Sequence, residues 1–96
     1  MTQTKYLVKT TKQFRKEFTR AKKRGLNISL LREVVEKLAN GESLPQKNKD
    51  HFLSGVWSGH RECHIQPDWL LIYIIENEIL VLTLVRTGSH QDLFGL

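Results

Sequence analysis

Apolar positions along the first forty residues follow one rhythm, and those after residue 50 follow another. Tyr6-Leu7-Val8, flanked by Thr and Lys, is a short β run. Phe14, Phe18 and Ala21 then recur at helical spacing, with Thr10 or Thr11 able to cap the start and Gly25 to end it. Leu31, Val34, Val35 and Leu38 make a second apolar stripe, opened by Asn27 or Ser29 and closed by Asn40-Gly41. The short Gly-Leu-Asn turn between the two stripes predicts an αα-hairpin. Residues 41–50 are a polar loop, long enough to suit a functional role.

Beyond the loop the period shortens to that of strands. Phe52-Leu53 with Gly55 predicts a short strand, and Trp57 to Gln66 a second, with the turn Ser58-Gly59 near its start. Pro67-Asp68 is a turn. Trp69 to Ile75 is almost continuously apolar, which predicts a central strand buried on both faces. Glu76-Asn77-Glu78 reverses the chain, and Ile79 to Arg86 returns as the last strand. Thr87-Gly88 is expected to leave the sheet, with Ser89 to Phe94 as a short helical tail. The order β-α-α-β-β-β-β predicts one α+β domain over residues 1–96. Two N-terminal helices pack on one face of a small, mainly antiparallel sheet, and the other face is left open for binding.

Composition narrows this picture. A chain of 96 residues supports one modest core, and 40% hydrophobic residues suffice to build it. There is no apolar run of about 18 residues to span a bilayer. The first residues, Met-Thr-Gln-Thr-Lys, have no apolar segment of the kind a signal peptide needs. The single cysteine, Cys63, allows no internal disulfide, which fits a reducing cytoplasm. Charge is divided unevenly. Residues 1–37 hold 11 of the 15 Lys/Arg and 3 of the 10 Asp/Glu, a net of +8, while the remainder is at −3. On the first helix Lys12, Arg15, Lys16, Arg20, Lys22 and Lys23 surround the apolar stripe. Such a patch attracts polyanions, although a solvated helix face looks the same in sequence.

Candidate chemistry lies in the second half. On the strand His60-Arg61-Glu62-Cys63-His64-Ile65-Gln66, alternation puts Arg61, Cys63 and Ile65 on one face and His60, Glu62, His64 and Gln66 on the other. The polar set is expected on the open face, with His64 pointing at solvent or ligand. His60 and His64 lie about 13 Å apart along such a strand, too far for one ion bound at about 2 Å from each nitrogen. No metal and no cofactor are therefore expected. Asp68 sits in a turn, where aspartate commonly bonds its own backbone. Trp69 is either core or a stacking surface for a base. Arg86 ends an apolar strand and suits bidentate phosphate recognition. His90 can fold back toward it through Thr87-Gly88-Ser89, and Phe94 is either a latch or a base-stacking ring. His51 is expected on the loop. Histidines, an aspartate and an arginine on one side of a basic domain suffice to cut RNA without metal. A base takes the 2′-OH proton, an acid protonates the leaving 5′-oxygen, and a cation stabilises the phosphorane.

Three spaced blocks carry a resemblance. They are Lys49-Asp50-His51-x-Leu53-x-Gly55-x-Trp57-x-Gly59-x-Arg61, then His64-x-x-Pro67-Asp68-Trp69-x-Leu71-Ile72-Tyr73, then Arg86-Thr87-Gly88-x-His90-x-x-Leu93-Phe94-Gly95. In these the chain resembles the YafQ branch of the RelE-like bacterial toxins. The resemblance implies the RelE-like fold and an endoribonuclease that enters the ribosomal A site, against 16S rRNA, and cuts the messenger there. It also implies a cognate antitoxin, with operator DNA touched only through the antitoxin complex. The family's functional positions fall on His51, His64, Asp68, Arg86, His90 and Phe94, with Trp69 inside a matched block. In that scheme Asp68 or His64 is the general base and His90 the acid. Arg86 stabilises the phosphorane, His51 contacts the phosphate or orients the messenger, Phe94 stacks on a base, and the basic helix grips ribosomal RNA. Rival readings are a ribosome-independent ribonuclease of the same fold, a metal-dependent nuclease and a non-catalytic RNA-binding or repressor module.

Overall fold

Residues 4–95 are described by the computed structural model. The reading of a missing leader rests partly on residues 1–3, which lie outside them. The elements are β1 (Leu7–Thr10), α1 (Lys12–Lys23), α2 (Ile28–Ala39), β2 (His51–Phe52), β3 (Arg61–Gln66), β4 (Trp69–Glu76), β5 (Val81–Gly88) and α3 (His90–Phe94). Single 3₁₀ turns occupy Gln46–Asn48 and Gly55–Trp57. The five strands form one sheet in the order β1-β5-β4-β3-β2. The β1–β5 pair is parallel and the other three pairs are antiparallel. No helix among the described residues is long and apolar enough to cross a membrane.

The two expected helices form where their stripes predict, and side-chain caps settle where they start. Thr11 Oγ1 accepts the Phe14 N–H at 2.9 Å and Asn27 Oδ1 accepts the Ser29 N–H at 3.1 Å. Each cap satisfies a backbone donor that the first helical turn leaves unpaired. Gly25, at φ +79, supplies the left-handed exit from α1 that a residue with Cβ resists. The helices cover one sheet face. Phe14, Ala21, Leu31, Val34 and Leu38 pack on Cys63, Trp69, Leu71, Tyr73, Leu82 and Leu84. Burial removes these side chains from water and contributes about 1.5–3 kcal/mol for each of the larger aliphatic and aromatic ones. Every residue from Trp69 to Tyr73 in β4 is buried, as the apolar run requires of a central strand.

Four expectations need correction. The second sheet face is not open throughout. Leu93 of α3 buries itself on Leu70 and Ile72, with Leu53, Trp57, Val85 and Phe94 around them. Trp57 belongs to a 3₁₀ turn, so β3 begins only at Arg61 and His60 lies outside it. The left-handed Gly59 (φ +88) ends that turn's extended exit before pairing starts. Ile79 and Leu80 are in the β4–β5 turn, where Leu80 takes a positive φ of 53°. Thr87 and Gly88 stay in the sheet, opposite Leu71 and Leu70.

Candidate active site

Strand register assembles the site. His51 pairs with Glu62, Glu62 with Ile72, and Ile72 with Arg86, so one row crosses four strands. Residues directly opposite in antiparallel strands project to the same face. His64 lies in the next row on that face, opposite Leu70. Arg86 joins the row through a β-bulge. Ile72 pairs with Arg86 but Tyr73 with Leu84, which leaves Val85 as an extra residue. Leu82 and Leu84 face the helices, and strict alternation would send Arg86 there too. The bulge re-aims it to the face of α3.

Side chains then link into one chain of contacts. His51 Nδ1 lies 2.6 Å from the Lys49 carbonyl oxygen. A carbonyl only accepts, so Nδ1 carries a proton and Nε2 is turned toward Glu62. Nε2 of His51 and Nε2 of His64 each stand 3.6 Å from Glu62 Oε1. The His64 and His90 rings meet edge to face with centroids 5.5 Å apart. His90 in turn is held by Asp68, whose Oδ1 accepts the His90 backbone N–H at 2.9 Å and sits 2.6 Å from His90 Nδ1. These contacts to His90, its backbone N–H first, keep the exposed Asp68 carboxyl below the usual carboxylate range. The capping box of α3, Ser89 with Asp92, fixes where His90 starts. Arg24, the C-cap of α1, reaches Asp92 at 3.0 Å and ties that helix to the site.

The loop before β2 is anchored beside the histidines. The Asn48 side chain is buried and donates to the His64 carbonyl oxygen at 2.7 Å. A cleft of about 680 Å³ runs between this loop and the β3–β4 turn, lined by Lys47, Lys49, His64, Pro67 and His90 among others. Behind β2, Arg61 bonds both Asp50 oxygens, at 3.0 and 3.3 Å, and Tyr73 donates to Asp50 Oδ1 at 2.5 Å. The Asp50 carboxylate, immediately before His51, is thereby pinned to β3 and β4.

Several sequence expectations change at this level. His51 belongs to strand β2 rather than to a free loop. His90 folds back to Asp68 and His64, and among the described residues no hydrogen bond or ion pair joins it to Arg86. The Nε–Nη2 edge of Arg86 is already taken, which leaves only its Nη1 side for a phosphate. Its Nε and Nη2 bind the Glu17 carboxylate of α1 at 2.9 and 2.7 Å, which holds the guanidinium above its ordinary pKa. Trp69 is 2% exposed and donates from Nε1 to Thr87 Oγ1, so it is core and offers no face to a base. Phe94 is half-buried, edge to face on Trp57 at 6.3 Å. Lys12, Arg15, Lys16, Arg20, Lys22 and Lys23 are all exposed on α1. Glu62, Glu17, Lys47 and Lys49 had no role assigned from the sequence, although Glu62 was placed on the polar face and Lys49 in a matched block. Glu62 was legible, since it lies between His60 and His64 on the polar face.

A helical hairpin packed on one face of a small sheet with a parallel edge strand is the RelE-like α+β fold of small bacterial toxins. The comparisons make it particular. Residues 6–95 match the family model described as the bacterial toxin of type II toxin–antitoxin systems, YafQ, and the chain belongs to that family. The mRNA interferase toxin YafQ of Escherichia coli K12 is 39% identical over 84 residues, covering 86% of this chain and 89% of its own. The toxin fold in the crystal structure of the E. coli DinJ–YafQ toxin–antitoxin complex superposes with a TM-score of 0.87 at 36% identity, over 95% of this chain and 99% of that one. A metal-bound toxin from Helicobacter pylori superposes with a TM-score of 0.88 at 43% identity, over 93% and 99%.

Proposed function

We propose that this protein cuts messenger RNA in the ribosomal A site by side-chain acid–base chemistry on the α3 face. It is a toxin of a type II toxin–antitoxin system by family, and its characterised relative is an mRNA interferase. The carrying observation is the unbroken contact run His51–Glu62–His64–His90–Asp68. It supplies three imidazoles, side chains able to give or take a proton.

The contacts support a division of labour. Asp68 orients His90 through Nδ1 and leaves Nε2 to deliver a proton to the 5′-oxygen. A carboxyl held below its usual range is a weak base, so the base is assigned to His64 and not to Asp68. Glu62 backs both His64 and His51, His51 meets the phosphate, and Arg86 offsets charge on the phosphorane. Phe94 stacks on a base, and the α1 cations meet 16S rRNA phosphates. The H. pylori relative binds a metal. Among the described residues here, no three His, Cys, Asp or Glu side chains are placed to share an ion.

A cognate antitoxin covers the active face or the basic helices, and an acidic segment that folds on binding matches the +8 region. Operator DNA is met only through that complex, and the setting is the cytoplasm. The test is purified protein given the same messenger, free and on programmed ribosomes. Cleavage on ribosomes alone is expected. Equal cutting of naked RNA means a ribosome-independent nuclease, and cutting of neither favours an RNA-binding repressor.

A further inference from the structure

Glu17 is the one acidic residue of α1, among six Lys and Arg. It lies on the helix's buried stripe with Phe14 and Ala21, 5% exposed. Both carboxylate oxygens are engaged. Oε1 accepts from Arg86 Nε at 2.9 Å and from the Thr87 N–H at 3.1 Å, and Oε2 accepts from Arg86 Nη2 at 2.7 Å. The Thr87 contact has a topological reason. Strand β1 ends at Thr10, and beyond it α1 takes over the edge of β5, with Thr11 Oγ1 donating to the Val85 carbonyl at 2.6 Å. Glu17 satisfies a buried donor on that edge that β1 no longer reaches.

Closing a sheet edge does not require an arginine partner. Apolar residues of similar volume tie a helix to a sheet as well as a buried ion pair does, or better. Here the carboxylate instead grips the one residue that the Val85 bulge has turned toward the site. Gripping the Nε–Nη2 edge fixes the guanidinium plane and leaves the donors on its other side, around Nη1, for an anion. A cation held in place meets developing charge without reorganising.

We infer that Glu17 is a positioning residue, setting the orientation of Arg86 toward the scissile phosphate. The inference rests on the phosphorane role given to Arg86 above. A misplacement of about 1 Å can cost about 10²-fold in rate. Glu17→Gln should therefore lower kcat by about 10- to 100-fold, and it should leave KM unchanged or lower because one positive charge is released. A purely structural tie predicts lost folded protein at unaltered kcat.

The decisive format is a double-mutant cycle with Arg86→Lys, measured as messenger cleavage by folded protein. Lysine has no fork to orient, so Glu17→Gln should change kcat by no more than about twofold in that background. Wild-type kcat in Glu17→Gln, or equal losses in both backgrounds, overturns the inference. Wild-type kcat in Arg86→Lys and Arg86→Ala overturns the reading beneath it instead. Should glutamine at 17 prevent folding, Glu17→Asp keeps the charge and shortens the reach by one methylene. A lowered kcat there supports positioning, and a wild-type kcat contradicts it.

Discussion

The two faces of the sheet share their strands and differ in everything placed on them. Beneath α1 and α2, Cys63, Leu71, Tyr73 and Leu82 are fully buried among aliphatic and aromatic neighbours. Beneath α3, a small core of Leu70, Ile72 and Leu93 is bordered by His51, Glu62, His64, Asp68, Arg86 and His90. Both faces alternate along the same backbone, so a residue and its neighbour in β3 serve different purposes. Cys63 is core, its thiol pushed far up by burial, and His64 beside it faces the cleft. The helix-covered face supplies stability and the α3 face spends some of it on polar groups.

This contrast predicts separable losses. The largest is His90→Ala, expected to slow cleavage by about 10²–10⁴-fold with an unchanged melting temperature, since His90 is partly exposed. Single-turnover rates beside thermal melts check both halves. On the opposite face Leu71→Ala should cost about 2–5 kcal/mol by denaturant titration and leave the rate per folded molecule intact. If the losses do not separate, the two faces are not independent. Asp68→Asn sharpens the comparison within the site. Because the Asp68 pKa is lowered, its carboxylate is lost only as pH falls through that lowered value. The ratio of wild-type to Asp68→Asn rates should thus stay constant between about pH 5 and 8 and collapse only in stronger acid. A ratio that has already halved by about pH 4 would mean the carboxylate titrates in its ordinary range. The smallest effect is Thr11→Ala, which removes the cap of α1 and should cost about 1 kcal/mol with no change in rate.

Legibility in the sequence followed the same division. Period alone placed α1, α2 and β4, because burial on one or two faces imposes spacing that survives in the residues. The site was legible in its residue types and less so in its wiring. Three non-local events were hidden. The Val85 bulge turns Arg86 against the simple alternation Leu82, Leu84, Arg86. Glu17 claims that arginine from 69 positions away. The parallel β1–β5 pairing leaves an edge that α1 must complete. A signal for the second was present, since a lone glutamate on the apolar stripe of a basic helix needs a buried cation. Trp69 shows the opposite error: it sits in a motif block beside Asp68, yet alternation sends it into the core.

The central claim is that RNA itself supplies the nucleophile while side chains move the protons. The ends of the cleaved messenger test it most directly. Cleavage on programmed ribosomes should leave a 5′-hydroxyl on one fragment and a 2′,3′-cyclic phosphate on the other. A messenger carrying a single 2′-deoxy nucleotide at the cut site should survive intact. A 5′-phosphate end, or cutting of the deoxy-substituted messenger at the normal rate, would contradict the account.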